Sequence, residues 1–162
     1  MRVGFYAGSF DPFTNGHLEI VKKACKVFDC VIIGIGTHPL KTRRFDKVAM
    51  RDAIYDVLER EGLDEKVEVY IYNNSMTVDV AKYYGADFLI RGIRNGIDYQ
   101  YEEAIASVNQ EIEGIDTVYF RAGNLGNVSS SMVMELFNND RDISKYVPRE
   151  ILEYMKKNNK IK

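Results

Sequence analysis

The chain has 162 residues, 46% of them hydrophobic and 28% charged, with 22 Lys and Arg against 24 Asp and Glu for a formal net charge of -2. This is ordinary globular composition for a single domain over residues 1–162. The missing basic excess argues against a nucleic-acid partner, and no apolar run is long enough to cross a membrane. The N-terminus lacks a secretory pattern, so a cytoplasmic protein is expected. Cys25 and Cys30 form no Cys-x-x-Cys pair, and His17 and His38 fall in different loops. Free thiols in a reducing compartment are therefore expected, with no protein-held metal site.

Apolar stretches alternate with helical patterns, with no repeat or linker between them. In chain order the pattern predicts strand 3–7, helix 17–28, strand 31–36, helix 47–61, strand 67–72, helix 77–84, strand 88–90, helix 99–113, strand 117–120 and helices 130–138 and 149–157. This order predicts an α/β fold with a doubly wound parallel sheet, of the Rossmann-like dinucleotide-binding kind, whose ligand crevice lies beyond the C-terminal strand ends. The loops that follow strands, 7–17, 37–46, 73–76, 91–98 and 121–129, should carry the chemistry. No exposed apolar stripe beyond the needs of the core is read.

The first loop runs Gly8-Ser9-Phe10-Asp11-Pro12-Phe13-Thr14-Asn15-Gly16-His17. Gly8 can take backbone angles closed to other residues, Ser9 offers a hydroxyl, and His17 in the first helical turn faces whatever the helix N-terminus binds. Asp11, Pro12 and Asn15 are read as turn residues. Lys41, Arg43 and Arg44 of the second loop, taken alone, read as a solvated charge cluster. Arg91 and Arg94 directly follow a buried strand, where guanidinium forks match phosphate oxygens. Ser129, Ser130 and Ser131 open a helix; one is an N-cap, and three in a row after Gly126 suggest a second phosphate cradle.

Together, Gly8-Ser9-Phe10-Asp11-Pro12, Thr14-x-Gly16-His17, Lys41, Ile90-Arg91-Gly92-Ile93-Arg94, Tyr101-Glu102 and Ser129-Ser130-Ser131 resemble the bacterial phosphopantetheine adenylyltransferases over nearly the whole chain. The resemblance implies transfer of an adenylyl group from ATP to 4'-phosphopantetheine, with phosphate-bound Mg2+, in a hexamer. By position it implies catalytic roles for His17, Lys41 and Arg91. It gives nucleotide contacts to Ser9, Phe10, His17, Gly92, Ile93, Arg94, Glu102, Leu125, Gly126, Asn127, Val128, Ser129, Ser130 and Ser131. Acceptor contacts fall to Ser9, Lys41, Met76, Arg91, Asn109 and Glu135. The chain departs from that family's usual pattern in the loop 124–127, which lacks aromatic residues, in Met134 where a lysine often follows the serines, and in the basic stretch Thr42-Arg43-Arg44. Transfer to another small phosphorylated acceptor, and nucleotide binding without catalysis, are the alternative readings.

Overall fold

A computed structural model describes residues 1–37 and 39–158, apart from the side chain of Ile97. His38 lies outside the described residues, and with it any reading of a zinc site there. The elements are β1 (Val3–Gly8), α1 (Asn15–Ala24), β2 (Cys30–Ile35), α2 (Lys47–Arg60), β3 (Val67–Ile71), α3 (Thr77–Tyr83), β4 (Phe88–Ile93), α4 (Gly96–Glu113), β5 (Asp116–Arg121), α5 (Ser130–Asn138) and α6 (Arg149–Lys157), with a 3-10 turn at Gly123–Leu125. The strands form one sheet in the order β3-β2-β1-β4-β5, and every pairing is parallel.

That order follows from the sequence through handedness. Two successive right-handed crossovers carry the chain from β1 outward to β3, with α1 and α2 on one face. The return from β3 to β4 reverses the direction of travel and moves the next helices to the other face. Side chains of α1, α2, α5 and α6 accordingly share a core with Tyr6, Ile33, Ile35 and Ile90. The opposite core joins Val78, Val80 and Ala81 of α3 to Phe5, Ile32 and Leu89. Central strands buried on both faces need continuous apolar runs rather than alternation, which is why Val31-Ile32-Ile33-Gly34-Ile35 is legible as a strand.

Three elements depart from the predicted bounds by more than one residue. Helix α1 spans Asn15–Ala24 rather than 17–28, and it starts early because Thr14 caps it with a side-chain oxygen. Strand β4 runs on through Arg91, Gly92 and Ile93, paired to Tyr119, Phe120 and Arg121 of β5, where a loop is predicted. Helix α4 begins at Gly96 rather than 99, since the Asn95 side chain accepts the Asp98 N–H. This helix also overturns the expectation of no exposed apolar stripe. Tyr101, Ile105, Val108 and Ile112 follow one another at helical spacing and are 44–69% exposed. Among the described side chains of α4, none is fully buried.

Candidate active site

The sheet opens a cleft where its order turns. β1 pairs with β4 only over Gly4, Phe5 and Tyr6. Beyond that point Ala7 and Gly8 stay with β2, while Arg91, Gly92 and Ile93 stay with β5. The two strands part at their C-terminal ends, the position at which open α/β sheets receive ligands. A cavity of about 320 Å³ fills the gap, lined from β1, the first turn of α1, the end of β4 and the stretch 122–130. Of the residues expected to contact the nucleotide, Ser9, Phe10, His17, Gly92, Ile93, Arg94, Leu125, Gly126, Val128, Ser129 and Ser130 line it.

The first loop is shaped differently from the expectation. The left-handed residue is Phe10, at φ 47, and Gly8 lies in β1. What Gly8 requires is room: a β-carbon there would stand 3.0 Å from the Phe10 ring. The Phe10 side chain is itself buried, with its ring set edge-on to the His17 ring at 4.9 Å between centroids. Gly16 permits a second close approach, since a β-carbon would meet the carbonyl oxygens of Leu125 and Val128 at 3.1 and 3.2 Å. The loop before α5 therefore packs directly on the first turn of α1.

His17 occupies the third position of α1 and completes a reciprocal cap with Thr14. The Thr14 hydroxyl oxygen accepts the His17 N–H at 3.3 Å, and the His17 Nδ1 accepts the Thr14 N–H at 3.0 Å. An Nδ1 that accepts must be unprotonated, so the ring proton resides on Nε2. Burial, aided by the Arg91 charge, holds the imidazole pKa down to about 4. At neutral pH the ring is thus an uncharged Nε2–H donor, fixed in orientation by the helix cap.

Arg91 spans the cleft. Its Nη1 donates to the Ala7 carbonyl at 2.9 Å, tying β4 back to β1 just where their ladder has ended. Its Nε and Nη2 donate to the two Glu102 carboxylate oxygens at 2.9 and 2.8 Å. Three of the five guanidinium N–H groups are therefore held by protein, and two remain for a ligand. In this structure Glu102 anchors Arg91 rather than lining the cavity. Arg94 lines the cavity and pairs with Asp98 at 2.8 Å.

The second loop is only in part the solvated cluster that its charges suggest, for Lys41 and Arg44 are exposed and Arg43 is not. Asp11, read as a turn residue, is buried, and its carboxylate accepts the N–H groups of Arg44 and Phe45 at 2.8 and 2.9 Å. The Arg43 side chain is only 10% exposed and donates to the carbonyls of Ser9 and Phe45 at 2.6 and 2.9 Å. Asp11 and Arg43 thus bind the β2–α2 loop to the β1–α1 loop. A buried carboxylate with two backbone N–H partners is a satisfied structural group. The sequence signal was an acid set between Phe10 and Phe13, which a turn assignment hides. Tyr6, Ile20 and Ala122 also line the cavity without having been expected to.

The serines divide their hydroxyls. Ser129 caps α5 by accepting the Met132 N–H at 3.1 Å. Ser130 donates to the Pro12 carbonyl at 2.7 Å, and Ser131 accepts from Arg44 at 3.3 Å. Ser130 therefore pins the first loop, whereas Ser129 and Ser131 keep a hydroxyl proton for a ligand. A second cavity of about 600 Å³ brings Met76 and Asn109 together with Thr37, Pro39 and Tyr72. Lys41 is exposed in its loop and Glu135 exposed on α5, and neither lines these two cavities. Asn127 and Ser131 flank the first cavity rather than lining it. Among the described residues, no group of three or more His, Cys, Asp or Glu gathers as a metal cage would.

The site thus offers placed donors and cations at a switch-point cleft, without an activated nucleophile. Residues 5–136 match the cytidylyltransferase-like family, which sets the class of protein. The fold agrees: a Vibrio parahaemolyticus protein provisionally described as a nicotinate-nucleotide adenylyltransferase superposes with a TM-score of 0.69 at 13% identity, over 97% of this chain and 93% of that one. Among curated relatives, the chain is 37% identical to the phosphopantetheine adenylyltransferase of Streptococcus suis, covering 97% of this chain and 96% of that protein. It is 39% identical to that of Lachnoclostridium phytofermentans (94% and 93% covered) and 39% identical to one from Streptococcus pneumoniae (98% of each). The chain belongs to the phosphopantetheine adenylyltransferase family, within the nucleotidyltransferase enzymes.

Proposed function

We propose that this protein transfers the adenylyl group of ATP to the phosphate of 4'-phosphopantetheine, giving dephospho-coenzyme A and pyrophosphate in coenzyme A biosynthesis. A phosphate oxygen of the acceptor attacks the α-phosphorus, the bond from that phosphorus to the bridging oxygen breaks, and pyrophosphate departs. The attacking group is already an anion, so the chain needs no base or nucleophile of its own. Positioning and charge neutralisation supply the catalysis. The observation that carries the reading is His17, a neutral Nε2–H donor locked beside Arg91 at the mouth of the cleft. It donates to the α-phosphate as negative charge builds there.

In this reading Ser9, Phe10, Gly92, Ile93, Arg94 and the stretch 125–131 hold ATP, with Glu102 acting through Arg91. Arg91 and Lys41 receive the acceptor phosphate, Met76 and Asn109 line its pantetheine arm, and Glu135 contacts the arm from α5. Magnesium, coordinated by phosphate and water, offsets phosphate charge when bound; a cavity lined by Arg91 and Arg94 with no carboxylate suits an ion that arrives with its nucleotide. The assembly proposed is a hexamer. The exposed stripe Tyr101, Ile105, Val108 and Ile112 supports it, because a helix of 18 residues draws its stability from burying an apolar face. A cytoplasmic location is part of the same proposal, in keeping with the free thiols of Cys25 and Cys30.

Nucleotide choice tests the assignment within the class. ATP is expected to exceed CTP and GTP in kcat/KM, measured by pyrophosphate release with phosphopantetheine as acceptor. Equal or better use of CTP would make the protein a cytidylyltransferase.

A further inference from the structure

We infer that Arg44 is a ligand for the pyrophosphate end of the nucleotide and for the pyrophosphate product, an inference that rests on the nucleotidyl-transfer reading of the cleft. Arg44 is held in place twice over. Its N–H donates to the Asp11 carboxylate at 2.8 Å, and its Nη1 donates to the Asp11 carbonyl at 2.9 Å. Fixed on that side, the guanidinium reaches across to α5, where its Nη2 donates to the Ser131 hydroxyl at 3.3 Å.

The Arg44 guanidinium, exposed at the surface, finds no carboxylate of its own at ion-pair distance among the described residues. Arg43, Arg91 and Arg94 each have one within 4.0 Å. The first turn of α5 has no acidic residue either. A guanidinium fastened by neutral hydrogen bonds against the positive end of a helix is like charge set against like charge, an unfavourable arrangement until an anion joins them.

The cleft says where such an anion would lie. At about 320 Å³ the cavity stands at the small end of ligand sites, so a nucleoside triphosphate that enters it extends past the rim. Ser129 and Ser130 line the cavity, and Ser131, with Arg44 upon it, is the next step outward. Ser131 accepts from Arg44, so its hydroxyl proton is free to donate, as is that of Ser129. The guanidinium retains further N–H groups, which can bind a phosphate oxygen with charge assistance. In chain terms, Met134 leaves α5 without a cation in the turn after the serines, and Arg44 brings one to that helix from the neighbouring loop.

The test is calorimetric titration of inorganic pyrophosphate with magnesium into the folded parent, Arg44→Gln and Arg44→Lys, beside steady-state adenylyl transfer. The parent should bind pyrophosphate. Arg44→Gln should raise its Kd about tenfold or more, the loss of one charge-assisted contact, and raise KM for ATP by more than it lowers kcat. Arg44→Lys should fall between the two, since an ammonium keeps the charge and loses the fork. Melting temperatures establish that the variants are folded; if Arg44→Gln is not, a rise of threefold or more for Arg44→Lys decides the matter on its own. Pyrophosphate Kd values within twofold of the parent for every folded variant, or no binding to the parent, would overturn the inference. Turnover of the parent with phosphopantetheine is read separately, so a wrong acceptor assignment is distinguishable from a wrong role for Arg44.

Discussion

Replacement of His17 by alanine is expected to lower kcat about 100-fold or more with little change in KM for ATP, the size of loss found when one preorganised transition-state donor is removed. The structure makes the donor specific. Nδ1 is occupied by the Thr14 N–H, so only Nε2–H is available, and a ring with a pKa of about 4 stays neutral in all ordinary assays. Activity should therefore show no loss attributable to His17 between pH 5.5 and 8, a range in which an ordinary histidine near 6.5 would titrate. The stability consequence has a definite sign. A histidine whose pKa is lower folded than unfolded opposes folding only where protons are available to it. Its contribution is neutral above about pH 6.5, and stability falls as the pH drops from there towards 4. A kcat within a few-fold of the parent for His17→Ala, in steady-state assays of pyrophosphate release, would remove His17 from the chemistry.

Arg91→Ala should cost about 100-fold or more in kcat/KM for the acceptor, and Arg91→Lys should recover little of it. Arg91 holds Glu102 with two parallel bonds while a third N–H reaches the Ala7 carbonyl. An ammonium cannot reproduce that planar set, and a partly buried Glu102 would lose its bidentate partner. The expected effect is larger than for Lys41→Ala, since Lys41 is exposed and outside the first cavity. Kinetics with varied phosphopantetheine measure both, and parental kcat/KM for the two Arg91 variants would show that the guanidinium is structural alone.

Much of this was legible before the fold was known, for reasons that are local. Strands buried on both faces write themselves as apolar runs, and the loops after strands are where a doubly wound sheet exposes its chemistry, so His17, Arg91 and Arg94 stood out. Most of what was hidden depends on partners distant in sequence. The extension of β4 through Ile93 is made by pairing with β5, which the residues after Ile90 do not announce. The start of α1 was missed because its reciprocal cap uses histidine in the place where glutamate or glutamine is the usual signature. Arg43 read as surface charge because its partner Asp11 lies 32 positions earlier, and the hold of Glu102 on Arg91 crosses from helix to strand, which no local pattern announces. The stripe on α4 was equally visible as a helical pattern, but only the fold shows that the core does not use it.

In the proposed reaction the acceptor's phosphate is both anchor and attacking group. The decisive measurement is pyrophosphate release from ATP with 4'-phosphopantetheine and with unphosphorylated pantetheine as alternative acceptors. Turnover with the first and none with the second is the predicted result; equal turnover with both, or release with neither, would contradict it.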